Sequence, residues 1–82
     1  MIKAYLTEQA DKDLKELPAV DSLRIKKKLV HFSIEAVYGK KLSGKLHGFY
    51  SLKVWPYRII YFFKNKNEAW IVHIKHRKDV YK

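Results

Sequence analysis

Residues 42–63, LSGKLHGFYSLKVWPYRIIYFF, decide the fold. They hold two apolar runs, FYSLKV (49–54) and YRIIYFF (57–63), parted by Trp55-Pro56, and each run carries one cation, Lys53 or Arg58. Aromatic and β-branched residues fit a pleated, half-buried surface, so the runs are predicted to be strands joined by a tight turn. A two-residue turn at Trp55-Pro56 sets Val54 opposite Tyr57 and Lys53 opposite Arg58. Proline does not take the positive φ of a primed turn, so a register placing Lys53 opposite Ile60 is the alternative. Side chains alternate with period two, and both registers leave Lys53 and Arg58 on one face. Like charges adjacent across strands are destabilising. This pair therefore calls for an anion or an acidic partner, and a phosphate is the natural candidate.

Working outward, residues 2–6 (IKAYL) read as a first strand, and Thr7 can cap a helix with Glu8 in its first turn. Ala10, Leu14 and Leu17 form its narrow apolar stripe, and Pro18 stops this helix or begins the next. A second helix is expected from about Asp21 to Tyr38, with Ile25, Leu29, Phe32 and Ala36 on one stripe. Val30, Ile34 and Val37 widen that stripe, and Gly39 stands where a helix terminator belongs. The residues Arg24 and Lys26 to Lys28 mark its other face as either solvated or phosphate-binding. Residues 40–48 form a polar, glycine-containing connection whose Lys41 and Lys45 are candidate phosphate contacts. After the hairpin, residues 64–67 are a turn into a last strand, 68–74, and the tail is KHRKDVYK. With an even turn at Asn65, His73 and Lys75 fall on the Lys53/Arg58 face; a bulge would flip them. The expected fold is a single α+β domain over 1–82: an N-terminal strand, a two-helix hairpin, then a three-stranded antiparallel meander, helices on one face.

Eighteen Lys and Arg against eight Asp and Glu give a net charge of +10 on 82 residues. So large a surplus points to nucleic acid, an acidic protein or an anionic surface. The absence of cysteine excludes disulfides and thiolate metal sites. Acidic residues arrive too early for a signal peptide, and no run approaches the ~20 apolar residues of a membrane span. The expectation is a cytoplasmic protein without membrane contact.

Asp, Glu and Cys do not stand at ligand spacing around the four histidines, so no metal and no cofactor is expected. After Glu35 the only acids are Glu68 and Asp79, too few for paired-carboxylate chemistry. What remains is cationic and aromatic: Lys53, Arg58, His73, Lys75, His76, Arg77 and Tyr81, with Tyr50 and Trp55 nearby. Such groups suffice to cleave RNA, because the substrate supplies its own nucleophile in the 2′-hydroxyl. The protein must align that oxygen with phosphorus, neutralise developing charge and manage two protons.

The runs LSGKLHGFYSLKV, YRIIY and HRKDVY, in that order, resemble the RelE/ParE superfamily of type II toxin–antitoxin toxins, and the likeness covers nearly the whole chain. In the RelE-like branch the resemblance implies a ribosome-dependent mRNA endonuclease that works without a metal and leaves a 2′,3′-cyclic phosphate and a 5′-hydroxyl. Carried over by position, Lys53 assists 2′-hydroxyl activation and charge stabilisation, Arg58 binds the scissile phosphate, and Tyr81 stacks on the substrate base. Lys75 lies near an arginine that serves the leaving group, a place that a one-residue gap gives to His76 or Arg77. Ser51 departs from the pattern, since more basic members carry a second lysine there; His73 or His76 is available to compensate. Ser51, His73 and Arg77, with Lys41 and Lys45, are the expected RNA contacts. The ParE-like branch shares the fold but poisons DNA gyrase and lacks a cleavage centre; Lys53, Arg58 and Tyr81 together favour the ribonuclease. A non-catalytic basic module binding RNA or an acidic protein is the third reading. Either branch implies a cognate antitoxin that wraps the basic surface with an acidic or amphipathic segment.

Overall fold

The structure, a computed structural model, describes residues 1–35 and 39–79. The elements are β1 (Lys3–Leu6), α1 (Glu8–Lys15), α2 (Ala19–Glu35), β2 (Lys40–Lys41), β3 (Tyr50–Val54), β4 (Tyr57–Asn65) and β5 (Glu68–His76). Thr7 caps α1, its Oγ1 accepting from the Ala10 amide at 3.2 Å. Pro18 separates the helices, and its carbonyl accepts from Ser22 N at 2.9 Å as the first bond of α2.

The fold class is α+β as expected, but the sheet has five strands in the order β1-β5-β4-β3-β2 and is mixed. β1 runs parallel to β5, while every other pairing is antiparallel. A parallel neighbour needs a long crossover, here everything between the first and last strands. Lys40-Lys41, expected within a connection, forms an edge strand against Tyr50 and Ser51.

The core lies between the helices and one sheet face: Ala10 and Leu14 from α1, Ile25 and Phe32 from α2, and Leu52, Val54, Ile59, Tyr61, Ala69, Ile71 and Ile74 from the strands. Ala36 and Val37 lie outside the described residues. Val30 and Ile34 do not widen the buried stripe; each is 57% exposed. At 3.6 residues per turn they sit about 140° and 180° around the helix from Ile25, beyond the reach of one sheet face. Val20 and Leu23 are also exposed, so α2 presents an uncovered apolar edge. Among the described residues, no helix is long and apolar enough to cross a membrane.

Candidate active site

The hairpin adopts the two-residue register: Val54 pairs with Tyr57 and Lys53 with Arg58. The Trp55–Pro56 peptide is cis, as in turns carrying proline at their third position. On the far side of β4, Arg58 pairs with Lys75. Tyr57, Ile59 and Ile74 belong to the core face. Alternation therefore sends Lys53, Arg58 and Lys75 to the helix-free face as one row across three strands. The hairpin after Asn65 delivers Lys75 there through two offsetting bulges, one at Lys64 on β4 and one at Val72 on β5. One bulge alone would have turned Lys75 and His73 into the core.

Among the described residues, no carboxylate pairs with any member of this row. Strand neighbours lie roughly 5 Å apart, and each like-charge pair at that spacing costs a few tenths of a kcal/mol. Lys53 leans against Trp55, its Nζ 5.2 Å from the ring centroid, and Arg77 Cζ lies 4.7 Å from the same ring. Arg24 Nη2 donates to the Trp55 carbonyl at 2.7 Å. From this corner a shallow groove lined by Arg24, Lys27, Lys28 and His31 runs along α2, which joins the basic helix face to Lys53.

The next row along the face is Lys40, Ser51, Ile60 and His73. Ser51 is only 7% exposed, and its Oγ is buried without a hydrogen-bond partner among the described residues. Because β2 pairs with β3 at this point, Ser51 is an interior sheet position and offers no hydroxyl to a ligand. His73 is on the cationic face, beside Asp13. Beyond lies an aromatic patch: Tyr5 stacked on Trp70 at 5.0 Å, and Phe62 edge-on to Phe49 at 5.8 Å.

Other candidates lie apart from the row. His76 pairs with Tyr57 and meets its ring edge-on at 5.9 Å, which places it on the opposite face; its Nδ1 accepts from Lys78 N. Lys41 turns with Tyr50 into a hollow lined by Phe63, Asn65 and Lys66, and Lys45 is exposed in a 3-10 turn. Tyr81 lies outside the described residues. Asp13 and the aromatic patch were missed from sequence; alternation along residues 68–75 signals the second, whereas nothing local signals the first.

Beneath the row, Tyr57 Oη donates to Asp21 Oδ2 at 2.8 Å, tying the hairpin to the start of α2. That hydrogen bond foremost, then burial and the Asp21 charge, raise the Tyr57 pKa above 10.0, with Arg24 opposing. Above the ordinary tyrosine value the native state then holds a proton that the unfolded chain has lost, so the stabilisation is complete below that value and fades as pH rises through the raised one. In Asp21→Asn, ultraviolet titration should show one tyrosine ionising at lower pH; an unchanged curve would refute the assignment.

Comparison with known proteins agrees with this architecture. The sequence model described as "ParE toxin of type II toxin-antitoxin system, parDE" matches residues 4–81. No curated protein matches. Among solved structures, the chain is similar to one in the RelBE2 toxin–antitoxin complex of Mycobacterium tuberculosis, with 27% identity, a TM-score of 0.69, and coverage of 95% of this chain and 93% of that one. It is also similar to one in the RelB–RelE antitoxin–toxin complex of Methanococcus jannaschii, with 26% identity, a TM-score of 0.74, and 94% of each chain covered. The RelE–RelB complex of Pyrococcus horikoshii OT3 supplies a third match, with 24% identity, a TM-score of 0.76, and 96% and 98% covered. With the family model spanning nearly its full length, this chain belongs to the ParE toxin family of type II toxin–antitoxin systems, within the RelE/ParE superfamily.

Proposed function

We propose that this toxin is a ribosome-dependent mRNA endonuclease acting in the cytoplasm. One observation carries the reading: the row Lys53–Arg58–Lys75 on the helix-free face, which no carboxylate pairs among the described residues. Three cations held together against their own repulsion are matched to a ligand that is more anionic in its transition state than in its ground state. In the proposed reaction the 2′-oxygen bonds to phosphorus as the bond to the 5′-oxygen breaks, giving a 2′,3′-cyclic phosphate and a 5′-hydroxyl. Arg58, central in the row, takes the non-bridging oxygens. Lys53 attends the 2′-oxygen on one side, and Lys75 the leaving oxygen on the other. Tyr81 is proposed to stack on the substrate base, and Arg77 to hold the strand near Trp55. No metal is needed, because the side chains supply the positive charge.

The partner proposed for the inactive state is a cognate antitoxin. The relatives in the three complexes above are bound to antitoxins. An acidic, amphipathic segment suits both the cationic row and the exposed Val20, Leu23, Val30 and Ile34 of α2. The family description, ParE, favours a second reading in which DNA gyrase is the target. Incubation with translating ribosomes separates the two. The first reading expects mRNA fragments ending in cyclic phosphate and an early loss of protein synthesis on induction in cells. Intact mRNA with early loss of DNA synthesis would replace it with the second.

A further inference from the structure

Among the described residues, the outer edge of β5 past Ile71 has no strand beside it, and α1 packs against β5 there. Asp13 closes this edge. Its Oδ2 accepts from the Ile74 amide at 3.0 Å and its Oδ1 from Gln9 Nε2 at 2.7 Å. The same Oδ2 lies 3.8 Å from Nδ1 of His73, and the Asp13 side chain is only 13% exposed. His73 Nδ1 is buried and has no hydrogen-bond partner among the described residues, yet the side chain as a whole is 44% exposed. Nε2, which is not among the buried unpartnered atoms, is therefore the nitrogen that the ring offers to the open face. The bulge at Val72 sets it there, one row from Arg58 and Lys75.

An imidazole with one nitrogen turned to a fixed carboxylate and the other to a phosphate-binding row has the layout of an oriented proton donor. Nucleophile and leaving group lie on opposite sides of phosphorus during in-line displacement. With phosphorus at Arg58 and Lys53 on the nucleophile's side, β5 faces the leaving oxygen. Lys75 supplies charge there, but an ammonium holds its proton too firmly at neutral pH to be the better acid.

We propose that His73 is the general acid of cleavage and that Asp13 is the residue positioning it; this rests on the ribonuclease reading above. As the 2′-oxygen bonds to phosphorus and the bond from phosphorus to the 5′-oxygen breaks, the electron pair of that bond goes to the 5′-oxygen, which takes the proton from His73 Nε2. The 2′-hydroxyl proton leaves to water on the Lys53 side, and the neutral imidazole regains a proton from water. The charged groups about His73 are Asp13 from α1 and, in the adjoining row, Arg58 from β4 and Lys75 on its own strand.

The test uses programmed ribosomes with two mRNAs, one ordinary and one with sulfur replacing the bridging 5′-oxygen at the cut. A thiolate departs without a proton. His73→Gln should therefore cut ordinary mRNA about 10²-fold more slowly, but cut the sulfur mRNA at the unaltered protein's rate. Asp13→Asn keeps an oxygen for Ile74 N and should lose about tenfold, with the same rescue. Arg58→Ala, which removes charge stabilisation, should stay slow on both. A His73→Gln protein slowed equally on both mRNAs, or on neither, overturns the assignment. Failure of the unaltered protein to cut either mRNA overturns the ribonuclease reading itself, and this inference with it.

Discussion

Arg58→Ala is expected to reduce mRNA cleavage about 10³-fold while leaving the protein as stable as before, or slightly more so. The guanidinium stands between Lys53 and Lys75 with no carboxylate partner among the described residues. Removing it deletes two repulsive neighbours, each worth a few tenths of a kcal/mol. It also removes the group proposed to meet both non-bridging oxygens. Comparable losses of a single transition-state donor or arginine cost about 10² to 10⁵ in rate, and 10³ corresponds to about 4 kcal/mol of barrier. Arg58→Lys should fall between, because an ammonium keeps the charge but not the two-pronged geometry. Fragment ends read by sequencing gels and midpoints from urea melts give the two numbers. Undiminished cutting by Arg58→Ala would remove the phosphate from this row. A large loss of stability would mean that Arg58 is structural.

The part of the site that could be read from sequence is the part set by local parity. Trp55-Pro56 leaves few ways to close a hairpin, and each keeps Lys53 and Arg58 on one face. Lys75 and His73 were reachable only conditionally. Their face depends on bulges at Lys64 and Val72, and neither position carries the glycine or proline that would announce one. Asp13 was out of reach, because its partners at His73 and Ile74 are sixty or more residues away. The same distinction separates success from error in the fold. Thr7 caps its own helix, and that is a four-residue matter. The parallel pairing of β1 with β5 joins the two ends of the chain, and the Lys40-Lys41 strand is imposed by β3, since two lysines carry no strand preference of their own. Val30 and Ile34 looked like core because they are apolar, yet one sheet face covers only one side of a helix. Their exposure makes sense for a chain that keeps a partner.

Gly39→Ala is expected to destabilise the fold by about 3 kcal/mol. Reading Gly39 only as a helix terminator missed its closest constraint, which is the backbone of β3. A Cβ at this position would lie 2.2 Å from the Ser51 carbonyl oxygen, 2.7 Å from its carbon and 3.0 Å from Leu52 N. These are backbone atoms in the middle of the sheet, and no rotamer change moves them. Relief requires the chain at Gly39 to draw back. That strains the bond from Gly39 N to Tyr61 Oη, now 2.7 Å, and the adjoining Lys40–Ser51 pairing. Tyr61 is fully buried and packs on Phe32 at 4.9 Å and Tyr50 at 5.3 Å, so it cannot follow. Overpacking costs about 1–3 kcal/mol and an orphaned buried polar group a similar amount. In a domain of this size 3 kcal/mol lowers Tm by roughly 12–24 °C. Tyr61→Phe, which loses the hydroxyl without the clash, should cost about 1 kcal/mol. Ser51→Gly should not rescue Gly39→Ala, since the obstructing atoms belong to the backbone and remain. A Gly39→Ala protein within about 0.5 kcal/mol of the parent would show that β2 can move off β3 freely. Below its lowered Tm, the folded fraction of Gly39→Ala should still cut mRNA normally, because Lys53, Arg58 and Lys75 are positioned by β3, β4 and β5 and not by Gly39.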